Sequence, residues 1–180
     1  MRLIIQTASS IIRSVHRGEL ADAHKRLAEL REAVQSLRRD VEDHHRVSAA
    51  GFAQDAQKEY VEAECTYALV SGKPLPSPEE LGVEDPPYIN GLAEACGELR
   101  RHILDLMRVG EIETAEKHLE TMDEIYHVLS TFDYPDAVSG GLRHRVDAVR
   151  GFLERTRGDL TRAVRQAQLE AAMRRLEMKL

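Results

Sequence analysis

Apolar residues recur at spacings of three and four along almost the whole chain, and that period admits one fold class, a bundle of amphipathic α-helices. Over residues 19–43 the positions Leu20, Ala23, Leu27, Leu30, Val34, Leu37 and Val41 keep it, which predicts a long helix. A shorter helix over 3–15 precedes it and stops at Gly18. Ser48 is placed to cap a third helix that runs to residue 71 on Phe52, Ala56, Tyr60, Ala63, Tyr67 and Val70. A fourth, over 88–109, carries Tyr88, Leu92, Ala95, Leu99, Ile103 and Leu106 and ends at Gly110, and a fifth over 112–129 continues the period. Pro135 and the Gly140-Gly141 pair break the chain before a last helix from Leu142 to the C-terminus. Its stripe, from Leu142 through Val149, Leu153 and Leu160 to Ala167, alternates four and three like a coiled-coil seam, so its far end is expected to reach a neighbouring subunit. Gly151 and Gly158 lie on one side of it and read as points of close backbone contact.

Composition agrees with an all-α fold. Aromatics make up 4% of the 180 residues and Trp is absent, which leaves little for strands. The expectation is a single domain over 1–180, an antiparallel bundle of six to seven helices. The segment GKPLPSPEELGVEDPP over 72–87 holds five of the six prolines and connects helices rather than domains. Cys65 and Cys96 fit neither a disulfide framework nor a zinc spacing, which suits a reducing cytoplasm. No apolar run approaches the roughly 20 residues that span a bilayer, and no signal-peptide pattern opens the chain, so a cytoplasmic protein without membrane partners is expected.

The net charge of −6 conceals segregation. Residues 47–140 hold 6 Lys/Arg against 19 Asp/Glu, whereas residues 141–180 hold 10 against 5. An acidic middle with basic ends describes either solvated faces or a cation-binding centre flanked by phosphate-holding helices.

Within that middle, Glu59 falls about 50° from the centre of its helix's apolar stripe, and Glu62 lies on the adjoining flank. Unpaired burial of a carboxylate costs several kcal/mol, so such a residue is protonated, paired with a base or bound to a cation. On the next helix Glu94 and Glu98 stand four apart and share a flank with Asp105, a spacing at which like charges repel. Two facing acidic flanks make an all-oxygen site suited to Mg²⁺ or Mn²⁺, which activate water and polarise phosphodiesters. The competing reading has Glu62, Glu94 and Glu98 exposed and Glu59 paired with a buried arginine. Wheel geometry leaves both open. The eight histidines form no HExxH-type motif and read as surface residues, and no Gly-rich phosphate loop or GxSxG is present. Arg143, Arg145, Arg150, Arg155 and Arg157 can hold phosphates or bridge to acidic neighbours.

The run KEYVEAE over 58–64 resembles the QEYVEA segment of Trax, the translin-associated member of the translin family, and PPYINGLAEACGELRR over 86–101 is similar to its DYLLGVADLTGELMR segment. A Gly-acidic turn, VGEIET, follows, and VDAVRGFLERTRGDL resembles archaeal members. The resemblance covers the chain from Ile11 onward. It implies a helical bundle that assembles into a closed oligomeric shell, an octamer, around RNA, and Mg²⁺-dependent endoribonuclease activity on single-stranded RNA or small RNA duplexes. Residue by residue, Glu59 and Glu62 match the two glutamates of EYVE and Glu98 the glutamate of GEL, while Glu94 stands where Trax has aspartate. The implied metal ligands and catalytic residues are thus Glu59, Glu62, Glu94 and Glu98, with Arg46, in the HHRV stretch, as an implied RNA contact and Asp105 a bystander; Arg143, Arg145 and Arg150 of the basic last helix are expected to join Arg46 on RNA. The eukaryotic insertion and basic targeting segment are missing, which implies a compact archaeal homo-oligomer. Two other classes compete: a non-catalytic shell that binds RNA or single-stranded DNA, and a coiled-coil adaptor that leaves Glu59 unexplained.

Overall fold

A computed structural model of the chain describes residues 2–42 and 51–178. Six helices of fifteen residues or more carry the fold: α1 (Arg2–His16), α2 (Leu20–Glu42), α3 (Gly51–Ser71), α5 (Asp85–Val109), α6 (Ile112–Ser130) and α8 (Leu142–Glu177). Among the described residues, two single-turn helices, α4 (Pro78–Leu81) and α7 (Asp136–Ser139), lie in the connections. There is no strand among the described residues. The all-α bundle is as the apolar period requires. The expected cap Ser48 and the adjacent His44, His45 and Arg46 lie outside the described residues.

Helices α3 and α5 form the centre and pack most extensively on each other. On one side α1 and α2 cover α3; on the other, α6 and α8 cover α5. Tyr60, Val61 and Ala63 of α3 and Ala95, Leu99 and Ile103 of α5 are fully buried at that centre, joined by Ile11 of α1, Met122 of α6 and Val149 of α8. Each of the larger aliphatic side chains among them contributes about 1.5–3 kcal/mol on burial, so the interlocked centre, more than propensity, holds the helices. No helix of the described residues is long and apolar enough to cross a membrane.

Two connections differ from the expected boundaries. Helix α5 begins at Asp85 rather than Tyr88, because Pro86 and Pro87 occupy its first turn, where proline's missing N–H has no partner to lose. The proline-rich segment before it is also ordered by local chemistry. The Ser77 hydroxyl accepts from the Glu80 amide at 3.2 Å and the Glu80 carboxylate accepts from the Ser77 amide at 2.7 Å, a capping box that sets Leu81 into the core.

The last helix is buried through Leu160, half-buried at Ala163 and Val164, and exposed beyond, with Leu169 and Met173 each 55% and Leu176 63% exposed. Within the chain, a Cβ at Gly158 meets nothing within 4 Å, and the nearest atoms to one at Gly151 belong to the side chain of Arg155 on the same helix. The close approach lies elsewhere, at Gly91.

Candidate metal centre

A Cβ placed on Gly91 of α5 would fall 2.6 Å from the Lys58 carbonyl oxygen and 2.7 Å from Val61 Cβ on α3. Only glycine lets the two helices meet at that distance. Glu94 follows within one turn of α5, and the α3 surface it meets carries Glu59 and Glu62. Each of the three carboxylates offers an oxygen, and those oxygens lie within 4.8 Å of one another. A three-residue, all-oxygen donor set of this span fits a hard divalent cation such as Mg²⁺ or Mn²⁺, which prefers carboxylates and keeps several waters.

The three carboxylates are not electrostatically alike. Glu94 is held on both oxygens: Lys58 Nζ donates at 2.9 and 2.8 Å, and Arg145 Nε of α8 donates to Oε1 at 2.9 Å. Lys58 also lies 3.3 Å from Glu59. Burial opposes charge on the Lys58 ammonium, but hydrogen bonding to Glu94 and the charges of Glu94 and Glu59 outweigh it and leave its pKa raised. Glu62 makes no hydrogen bond or ion pair with any described residue. Burial, and then the negative charges of Glu94, Glu59 and Glu98, push its carboxyl up to about 8 against the partial relief of Lys58. Glu62 is the group in the cluster that most lacks positive charge.

Glu98 belongs to the neighbourhood but not to the group of three. Its carboxylate bonds the His16 Nε2 of α1 at 2.5 Å, and that hydrogen bond holds its pKa below the ordinary carboxylate value. The His16 side chain is only 5% exposed. The histidines are therefore not uniformly a surface set. His102 and His118, on α5 and α6, are half-buried with ring centroids 5.1 Å apart, and burial pulls His102 down to about 4. His24, His127 and His144 are exposed as expected. Asp105 is 46% exposed and pairs with Arg108 at 3.3 Å, away from the cluster.

Among the candidate phosphate contacts, Arg145 faces the carboxylates and also donates to the Gly140 carbonyl at 3.1 Å. Arg143 and Arg150 are exposed and point elsewhere, since residue 145 is turned about 200° from 143 whereas 150 returns to within about 20° of it. Arg46 lies outside the described residues. The groove over the carboxylates is lined by Glu62, Glu94, Gly97, His144, Arg145 and Phe152, so α8 forms its second wall.

The buried carboxylate that pairs with an arginine is Glu64, not Glu59. It accepts from Arg31 at 2.9 Å, and the same guanidinium donates to the Tyr60 hydroxyl at 3.0 Å. The i, i+4 pair Tyr60 and Glu64 was the available signal, an apolar-stripe tyrosine with an acid one turn on. Cys65 and Cys96 are free and buried, and burial pushes the Cys96 thiol up to about 12.

No protein-family model matches this sequence. The chain is 31% identical to an uncharacterized protein of Methanocaldococcus jannaschii over 98% of its own length and 79% of the relative's. Among solved structures it superposes on AfC3PO in complex with duplex RNA with a TM-score of 0.80 and 33% identity, covering 93% of this chain and 86% of that one. AfC3PO in a further crystal structure gives the same score and identity over 93% and 87%. Apo-NeC3PO shares the fold, with a TM-score of 0.80 at 23% identity over 89% and 83%.

Proposed function

The chain belongs to the translin/Trax family, and on the convergence of Glu59, Glu62 and Glu94 we propose that it is a Mg²⁺-dependent endoribonuclease acting on single-stranded RNA or small RNA duplexes. The observation that carries this reading is the set of three carboxylate oxygens within 4.8 Å, one of them on the uncompensated Glu62. Support for RNA as substrate comes from the 33% identity to AfC3PO, which has been solved with duplex RNA. A homo-oligomeric shell, an octamer, suits the projecting apolar end of α8.

In this reading Glu59, Glu62 and Glu94 hold the cation, which supplies charge neutralisation and polarisation at the scissile phosphodiester. The protein's own groups do the rest. Arg145 presents a guanidinium to the groove beside Glu94, where it meets a non-bridging phosphate oxygen. His16 fixes Glu98 at the edge of the cluster, where it orients water or the neighbouring carboxylates. Phe152 and Ala148 of α8 put an apolar surface along one side of the groove, beside those charges.

The test is cleavage of an end-labelled single-stranded RNA in Mg²⁺ by wild type and by Glu59→Ala/Glu62→Ala. Loss of cleavage by about a hundredfold or more with assembly intact supports the assignment. Retained cleavage places the chemistry elsewhere, and an RNA that is bound but never cut by wild type makes the protein a binding shell.

A further inference from the structure

The Lys58 ammonium lies inside the same carboxylate cluster, 2.8 Å from Glu94 and 3.3 Å from Glu59, with its side chain only 15% exposed. It uses lone pairs that a divalent cation bound between these residues also needs. Together with Arg145 it sets two positive charges against the three carboxylates.

We propose that Lys58 is a built-in counter-ion that competes with the divalent cation for Glu94 and Glu59, and that on metal loading it passes to a phosphate oxygen of the RNA, so that metal and RNA bind cooperatively.

The proposal rests on the metal-dependent nuclease reading and adds the residue that couples its two ligands. Three carboxylates in one partly buried site repel one another, and the ammonium offsets that repulsion at the cost of occupying donor atoms. Moving it off Glu94 leaves a partly desolvated cation with a four-carbon flexible stem, and the groove that its partner Glu94 lines with Arg145 is where a phosphodiester would receive it. Each ligand then lowers the cost of binding the other, and the coupling is reciprocal.

The experiment is Mn²⁺ binding, read by electron paramagnetic resonance, to the full assembled protein with and without a hydrolysis-resistant phosphorothioate RNA. In wild type the RNA should tighten Mn²⁺ binding about tenfold, within the usual range of such couplings. Lys58→Gln should bind Mn²⁺ about tenfold tighter than wild type without RNA and show little further gain when RNA is added. Lys58→Arg keeps the charge and should retain the weak metal binding of wild type. Loss of a nearby positive charge alone tightens cation binding, so the vanished RNA effect is the readout specific to the hand-over. Equal or weaker Mn²⁺ binding by Lys58→Gln, or an RNA effect as large in Lys58→Gln as in wild type, overturns the proposal while leaving the nuclease reading standing. If Glu59→Ala/Glu62→Ala binds Mn²⁺ as wild type does, the carboxylate assignment fails and the proposal with it.

Discussion

Gly91 and Val61 meet across the α3–α5 interface so closely that a Cβ on Gly91 would stand 2.7 Å from the Val61 Cβ. The same Cβ would also meet backbone of that helix, the Lys58 carbonyl oxygen at 2.6 Å, so the clash cannot be relieved by turning a flexible side chain. Gly91→Ala is expected to force the two helices apart and to destabilise the chain by about 1–3 kcal/mol despite alanine's better helix propensity. Urea denaturation measures the first effect. Because Glu94 rides on the same stretch of α5, divalent-cation affinity should fall as well, which Gly158→Ala, whose Cβ meets nothing within 4 Å, will not reproduce.

Glu62 sets a pH dependence. Its folded pKa of about 8 stands above the ordinary carboxylate value of 4.5, so the folded state favours the protonated form. Without divalent cations, the contribution of Glu62 to stability should be fully present near and below the unfolded pKa and should be lost as pH rises from about 4.5 to about 8, levelling off above. Glu62→Gln should flatten that decline and gain about 1–3 kcal/mol at pH 9, an order-of-magnitude figure for a partly solvated group. Cation binding requires the ionised carboxylate, so affinity should climb over the same pH window in wild type and not in the variant. Thermal melts and Mn²⁺ titrations at a series of pH values check both.

Glu98 has the opposite sign. Its pKa is lowered by the hydrogen bond from His16, so the stabilisation it contributes is present above the ordinary carboxylate value and is lost as pH falls through its folded value. His16→Leu should abolish this acid-limb contribution and weaken metal-dependent cleavage, whereas Glu98→Gln, able still to bond His16, should cost less stability. Denaturation at pH 7 and pH 4 separates the two variants.

Glu64 marks a structural carboxylate within a few residues of the site. Removing it in Glu64→Ala strands the Arg31 guanidinium and leaves the buried Tyr60 hydroxyl with half its network, an expected loss of about 1.5–3 kcal/mol. Mn²⁺ affinity should stay within about twofold of wild type, because Glu64 is not among the converging carboxylates. A parallel loss of metal binding would show that the two networks are one.

The fold was legible because each helix has its own apolar stripe, and burial of Tyr60, Leu99, Ile103 and Val149 follows those stripes directly. The convergence of Glu59, Glu62 and Glu94 was only half legible. Wheel positions put acids on two flanks, but which flanks face each other depends on the α3–α5 approach, and a helical glycine such as Gly91 looks in sequence like a loss of propensity. Arg143, Arg145 and Arg150 read as one basic group, yet a helix turns them to different sides and only Arg145 meets the carboxylates. The partners of Glu98 and Glu64 come from α1 and α2, at separations of 82 and 33 residues, beyond the reach of any local pattern.

A cation-dependent ribonuclease site at Glu59, Glu62 and Glu94 is read out by single-turnover cleavage of a labelled single-stranded RNA. Wild type stripped with a chelator should be inactive and recover on addition of Mg²⁺, while Glu62→Gln, which keeps the side-chain volume, should stay at least about a hundredfold slower at every Mg²⁺ concentration. Cleavage by the chelator-treated protein without added cation, or by Glu62→Gln at the wild-type rate, would contradict it.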